Sequence, residues 1–160
     1  MQTYERSVRI RAPLDAVWEF HSTADGLEAL TPGWMHLTVE ELYGPDGSAD
    51  PEILETGSTL SLSVQPFGIG PRQSFVSEIS AREHDGESAS FTDVMHDGPF
   101  KSWKHTHRFV ADGDETLLTD YIEYELPLAG VGEAVGPLAV VGFEPMFRYR
   151  HRRTKALLES

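Results

Sequence analysis

The chain has 160 residues, carries 26 acidic against 13 basic side chains for a net charge of −13, and contains no cysteine. That length predicts one domain, residues 1–160, able to bury a core and still enclose a cavity, while the missing thiols exclude disulfides, thiolate metal sites and cysteine nucleophiles. Acid dispersed along the whole sequence repels phosphate backbones and anionic headgroups, so neither nucleic acid nor a membrane surface is expected as a partner.

Residues 2–11 alternate Tyr4, Arg6, Val8 and Ile10 against Thr3, Glu5, Ser7 and Arg9, the pattern of a strand with one apolar face. Ala12-Pro13-Leu14-Asp15 opens a helix, with proline at its start and Val17, Trp18 and Phe20 for burial. A second short helix is expected over 24–30, stopped by Thr31-Pro32-Gly33. Residues 35–43 read as a strand with Met35, Leu37, Val39, Glu41 and Tyr43 on one side. Residues 44–51, GPDGSADP, form a polar turn-rich loop. Two further strands follow over 59–64 and 72–81, the second with Gln73, Phe75, Ser77 and Ile79 inward.

The stretch 91–109, FTDVMHDGPFKSWKHTHRF, reads as a hairpin turning at Asp97-Gly98-Pro99. One arm puts Ala89, Phe91, Asp93 and Met95 on a single face, and the other puts Trp103, His105, His107 and Phe109 on a single face. Large apolar groups mixed with a carboxylate and two imidazoles suit a cavity wall better than a plain core or a plain surface. After a turn at 111–114, residues 116–126 place Leu118, Asp120, Ile122, Tyr124 and Leu126 inward. A register in which facing residue numbers sum to 227 sets His107 opposite Asp120 and keeps both strands' inner faces together, whereas a one-residue slip reverses one of them.

Residues 127–142 are rich in Gly, Ala and Val and read as sheltered, with a helix starting near Pro137 and interrupted or restarted at Pro145. Met146, Phe147, Arg150, Thr154 and Leu157/Leu158 then recur at helical spacing, and the bases crowded into 148–155 complement the helix's C-terminal dipole. No apolar run approaches about 18 residues and no secretion signal opens the chain, so a cytoplasmic protein without stable membrane insertion is expected. The carboxylate-rich surface also fits a protein from a salt-loving source.

Strand, two helices, six-stranded meander and long helix together predict an α+β helix-grip: a curved antiparallel sheet wrapped around the C-terminal helix, with a cavity between. The segments APLDAVWEF, GLEALTP, FTDVMHDGPFKSWKHTHRF, TLLTDYIEYELP and FRYRH resemble the SRPBCC superfamily of START and pollen-allergen-like proteins, and more narrowly its bacterial and archaeal cyclase/dehydrase-like branch. The likeness spans nearly the whole chain. Its most specific parts are Asp93, Gly98, Pro99, Phe100, Trp103, His105, His107 and Phe109, then Asp120, Tyr124 and Pro127. It implies a cavity for an apolar ligand.

His105 and His107, at i and i+2, suit a metal pair as well as two imidazoles bonded to carboxylates across the sheet. A third ligand would have to come from Asp93, Asp120 or His96, and no other close ligand cluster accompanies the pair, so neither a metal nor a cofactor is expected. His107 and Asp120 suit a general base with its orienting carboxylate, or equally two buried polar groups that satisfy each other. The expected ligand-binding residues are Trp34, Phe75, Phe91, Asp93, Met95, Trp103, His105, His107, Tyr124, Phe143 and Phe147, with Trp34 and the 44–51 loop placed as a rim by fold analogy. Binding of a small hydrophobic molecule (lipid, isoprenoid or polyketide-like) is the leading expectation. A cyclase/dehydrase enzyme using Asp93, His105, His107, Asp120 and Tyr124 for proton transfer is the alternative, and a protein-docking module is a third.

Overall fold

The computed structural model describes residues 1–127 and 131–159, with side chains described for 1–127 and 142–159. Seven antiparallel strands, β1 (Gln2–Ile10), β2 (Thr38–Tyr43), β3 (Thr59–Val64), β4 (Gln73–His84), β5 (Ser88–His96), β6 (Ser102–Asp112) and β7 (Glu115–Glu125), lie in the order β1-β7-β6-β5-β4-β3-β2. The run from β2 to β7 is a meander, and β1 returns to pair with β7. Helices α1 (Leu14–His21) and α2 (Ala24–Leu30) follow β1, and α3 (Val131–Leu158) follows β7. This is the helix-grip architecture.

Local chemistry fixes the joints. Pro13 caps α1 without donating an amide, and the backbone nitrogens of Ala16 and Val17 close on its carbonyl at 3.1 and 3.2 Å. Thr23 caps α2, its hydroxyl accepting the Gly26 amide at 3.0 Å. A Cβ at Gly26 would stand 2.0 Å from the Phe20 carbonyl oxygen, so only glycine lets α2 fold back this closely on α1.

The core packed on the sheet divides into an apolar cluster around Ile10, Val17, Trp18, Phe109 and Leu118, an aromatic cluster of Tyr4, Ile122, Tyr124, Phe143 and Phe147, and an aliphatic one of Leu42, Leu54, Leu60, Leu62 and Ile79. Alternate residues of β6 and β7 share this face in the expected register, with Trp103 opposite Tyr124, His105 opposite Ile122 and His107 opposite Asp120.

Several expectations need correction. Met35 ends a single 3-10 turn, Gly33–Met35, and His36 takes a left-handed conformation at φ 49, so the strand starts only at Thr38. A bulge between Val39 and Glu41 then shifts the alternation, burying Leu42 and leaving Tyr43 exposed. Helix α3 begins at Val131, ahead of Pro137, and runs unbroken through Pro145. The expected shelter of 127–142 falls largely outside the described side chains. Near the C-terminus Leu157 points to solvent, while Phe143, Phe147, His151 and Thr154 form the buried stripe.

Candidate functional site

A cavity of about 570 Å³ lies between the sheet's concave face, α2 and α3. Leu27, Leu30, Leu60, Leu62, Phe75 and Phe143 typify its walls, and Trp34, Phe91, Asp93, Met95, Trp103, His105, His107 and Phe147 also open onto it. Ten of the eleven residues singled out from the sequence therefore meet at one space. Tyr124 does not: it is 1 % exposed and sits in the aromatic core, its ring 5.1 Å from that of Phe143. It faces inward and packs with Phe143, Phe147 and Phe100, away from the cavity lining. Residues of the 44–51 loop are likewise absent from the lining, because that loop folds on itself through a Tyr43–Ala49 bridge. The rim beside Trp34 is instead the 3-10 turn Pro66–Gly68, where Phe67 stacks on Trp34 at 5.0 Å while remaining 68 % exposed.

Charged groups gather at one wall. Strand pairing sets Asp93 opposite His105 and Phe91 opposite His107, and the pleat turns all four side chains inward. His107 Nε2 meets Asp93 Oδ2 at 3.0 Å, and His105 Nε2 meets Asp120 Oδ1 at 2.7 Å. Behind them His151, from α3, puts Nε2 2.6 Å from Asp120 Oδ2. Asp120, 2 % exposed, is thus held by imidazoles from both the sheet and the helix. The His107 Nδ1 to Asp120 contact, 3.2 Å, is close for an ion pair but lacks the alignment of a hydrogen bond. The pair expected from strand register is therefore a near neighbour, and each member finds its aligned partner elsewhere. His151 was missed in the sequence, although its position four residues after Phe147 marks it as part of the helix's inner stripe.

The electrostatics follow from burial competing with pairing. Desolvation opposes charging Asp120, yet His105, His107 and His151 outweigh it and hold its carboxyl well below the usual range. Asp93 is lowered in the same way by His107 and His105 against the cost of burial. His107 moves upward: burial opposes its proton, but Asp120 and Asp93 prevail. His105 moves downward through burial and its neighbour His107, whose ring centroid is 3.7 Å away. His21, also on the cavity wall, donates Nδ1–H to the Val17 carbonyl at 2.8 Å, and burial pulls its pKa down to about 3.

Asp93, His105 and His107 also bring three donor atoms within 4.8 Å of one another, a spacing compatible with a cation. Within this group His107 Nε2 is bonded to Asp93 Oδ2, and His105 Nδ1 stands 3.8 Å from the same oxygen. The arrangement can hold an apolar body against aromatic and aliphatic walls and present a proton-sharing His–Asp pair at one side of it.

Fold and site together define a helix-grip protein with a cavity between its sheet and C-terminal helix. The family model for polyketide cyclase/dehydrase and lipid transport proteins matches residues 1–159, and the chain belongs to that family, within the SRPBCC superfamily. No curated protein matches the sequence. Among solved structures, a protein from Chromobacterium violaceum is similar at TM-score 0.68 and 16 % identity, covering 100 % of this chain and 99 % of that one. Truncated norcoclaurine synthase from Thalictrum flavum is similar at TM-score 0.68 and 21 % identity, with 99 % and 94 % covered. A START superfamily protein from Mycobacterium smegmatis has TM-score 0.64 and 17 % identity, with 97 % and 98 % covered. At such identities the likeness establishes the fold.

Proposed function

We propose that this protein binds a small hydrophobic molecule, a lipid, isoprenoid or polyketide-like ring, in the cavity between the sheet and α3, and that it does so in the cytoplasm of a salt-loving source. The observation that carries the reading is the cavity itself: about 570 Å³ of space walled by leucine, phenylalanine, methionine and tryptophan. Natively packed interiors leave few voids larger than a water molecule. An apolar space of ligand size is stable when something apolar fills it. The titratable groups on its wall mostly satisfy one another, as expected of a scaffold that holds a ligand without reacting with it.

The test is an apolar fluorescent probe titrated into wild type and Trp103→Ala. Trp103 lines the cavity and packs edge-on against Phe143 at 5.6 Å. Its loss should weaken the probe by about 1 kcal/mol or more, roughly fivefold. Unchanged affinity would take Trp103 off the binding surface, and no saturable binding to either protein would end the proposal. Native mass spectrometry of protein from its own source would show the bound molecule directly.

One observation favours a second reading. His107 and Asp93 open onto the cavity as a bonded pair, and a bound carbonyl compound beside them could exchange a proton with the imidazole while Asp93 orients the ring. Norcoclaurine synthase, of similar fold, is named as an enzyme. Under this reading a polyketide-like substrate is cyclised or dehydrated, and His107→Gln lowers turnover about 100-fold or more. Binding of such a substrate without any product would dismiss it.

A further inference from the structure

Arg150 is the one lysine or arginine among the described residues that line the cavity. It stands on α3 one turn beyond Met146 and Phe147, both of which face the same space. Its side chain is half-buried, and it is one of the residues that line the cavity. The backbone carbonyl of Arg150 accepts the Thr154 hydroxyl at 2.9 Å, and its Cζ is 6.0 Å from the centre of the Phe147 ring. The guanidinium itself has no hydrogen bond or ion pair with any described residue.

The chain has twice as many acids as bases, and several other arginines do find acceptors. Arg6 and Arg148 share Glu144, Arg11 reaches Glu159, and Arg82 donates to the Leu54 carbonyl. The carboxylates nearest in effect to Arg150 are Asp120 and Asp93, which attract it from a distance but are bonded to His105, His151 and His107. Depth lowers the guanidinium's pKa, desolvation being the main cause, yet arginine keeps its proton in proteins. A charged fork of donors on an otherwise apolar wall, with no acceptor among the described residues, has hydrogen bonds to offer whatever enters the cavity.

Resting on the cavity reading above, we infer that the ligand is a hydrophobic acid: an apolar body carrying one anionic head, a carboxylate, held by Arg150. The planar guanidinium matches a carboxylate through two parallel hydrogen bonds. A dianion fits less well, because Arg150 is the single lysine or arginine on the described wall and Asp93 and Asp120 already place two negative charges near it. The head then sits where Arg150 and the Asp93–His107 pair meet, and the body extends along Leu62, Phe75 and Leu27.

The experiment compares cis-parinaric acid with the alcohol of the same chain, by fluorescence titration at pH 8, in wild type, Arg150→Met, Arg150→Lys and Arg148→Met. In wild type the acid should bind about tenfold or more tightly than the alcohol, the range of a charge-assisted hydrogen-bonded pair. Arg150→Met should bring the two within about twofold, and Arg150→Lys should fall between, because charge without the fork keeps part of the preference. Arg148 is exposed and paired with Glu144, so its methionine variant should keep the wild-type ratio. Thermal melts confirm folding of each variant. Equal binding of acid and alcohol in wild type, or a preference that survives Arg150→Met, overturns the head-group assignment while leaving the cavity reading intact. If neither probe binds, both fall.

Discussion

At the scale of single residues, the densest arrangement is Asp120 with its three imidazoles. His151 reaches Asp120 from behind, outside the cavity lining, whereas His107 is part of that lining. His151→Leu should therefore cost about 1 to 3 kcal/mol by leaving one carboxylate oxygen buried without its donor, and leave probe binding near wild type. His107→Leu should lower stability and alter probe affinity as well. Urea unfolding alongside probe titration separates the two; a His151→Leu variant of normal stability would refute the helix-to-sheet bond. His21 sets a pH dependence. Burial, then repulsion from Arg150 and His107, outweighs the Val17 bond and Asp120's attraction and holds its pKa near 3, so the folded state binds fewer protons than the unfolded one between about pH 6.5 and 3. Stability from this group is complete above pH 6.5 and is lost as pH falls, by up to about 1.4 kcal/mol per pH unit. His21→Asn, which can still donate to Val17, should make the unfolding free energy fall less steeply from pH 6.5 to 4, where the lowered His105 keeps part of the slope; below that range the depressed Asp120 and Asp93 add their own loss. An unchanged acid limb would show that His21 protonates freely in the folded state. The sequence made the facing of His107 and Asp120 legible because strand pleat and register are discrete. It did not make their bonding legible, since which oxygen meets which imidazole depends on rotamers and on how deeply α3 docks.

At the scale of elements, α3 is pinned to the sheet's first strand by Glu144. The Tyr4 hydroxyl donates to its Oε2 at 2.5 Å, Arg6 to its Oε1 at 2.6 Å, and Arg148 joins from the next turn at 2.9 Å. Tyr4 is almost wholly buried, and burial, then Glu144, pushes its phenol well above the ordinary value. Glu144→Ala should thus strand a buried hydroxyl and cost about 1 to 3 kcal/mol. In a chain of this length each kcal/mol lowers Tm by roughly 2 to 4 °C. A melt unchanged within a degree would mean that water replaces the carboxylate. Strand and helix identities were readable because periods of 2 and 3.6 differ sharply over eight or more residues. Three features escaped that reading. The Val39–Glu41 bulge inserts a residue into an edge strand without a local signal. The 3-10 turn at 33–35 ends in a left-handed His36, which no propensity singles out. Helix α3 also passes through Pro145, where Glu144's bonds to β1 hold the turn that proline would otherwise loosen.

At the scale of the whole molecule, the surplus of 13 negative charges acts against folding, because compaction brings like charges together. Opposing this are surface pairs such as Lys101–Glu125 and Arg148–Glu144, which are solvent-exposed, contribute little, and are weakened by the same salt that screens the repulsion. There are 26 acids and only 13 bases to pair them, so the repulsive sum is the larger and screening should be net stabilising. The screening length shrinks from about 30 Å at 0.01 M to about 3 Å at 1 M. Tm should accordingly climb by several degrees from dilute buffer to molar KCl, most steeply at the low end where the length changes most. KCl is the salt to use, because sulfate also strengthens apolar burial and would blur the cause. A variant with Glu5, Glu19, Glu28 and Glu83 changed to Gln should start from a higher Tm and rise less, since these exposed acids carry charge at little cost in packing. Equal slopes for the two proteins would assign the salt effect to something other than charge. A flat wild-type curve would defeat the repulsion argument and, with it, the proposed salt-loving setting.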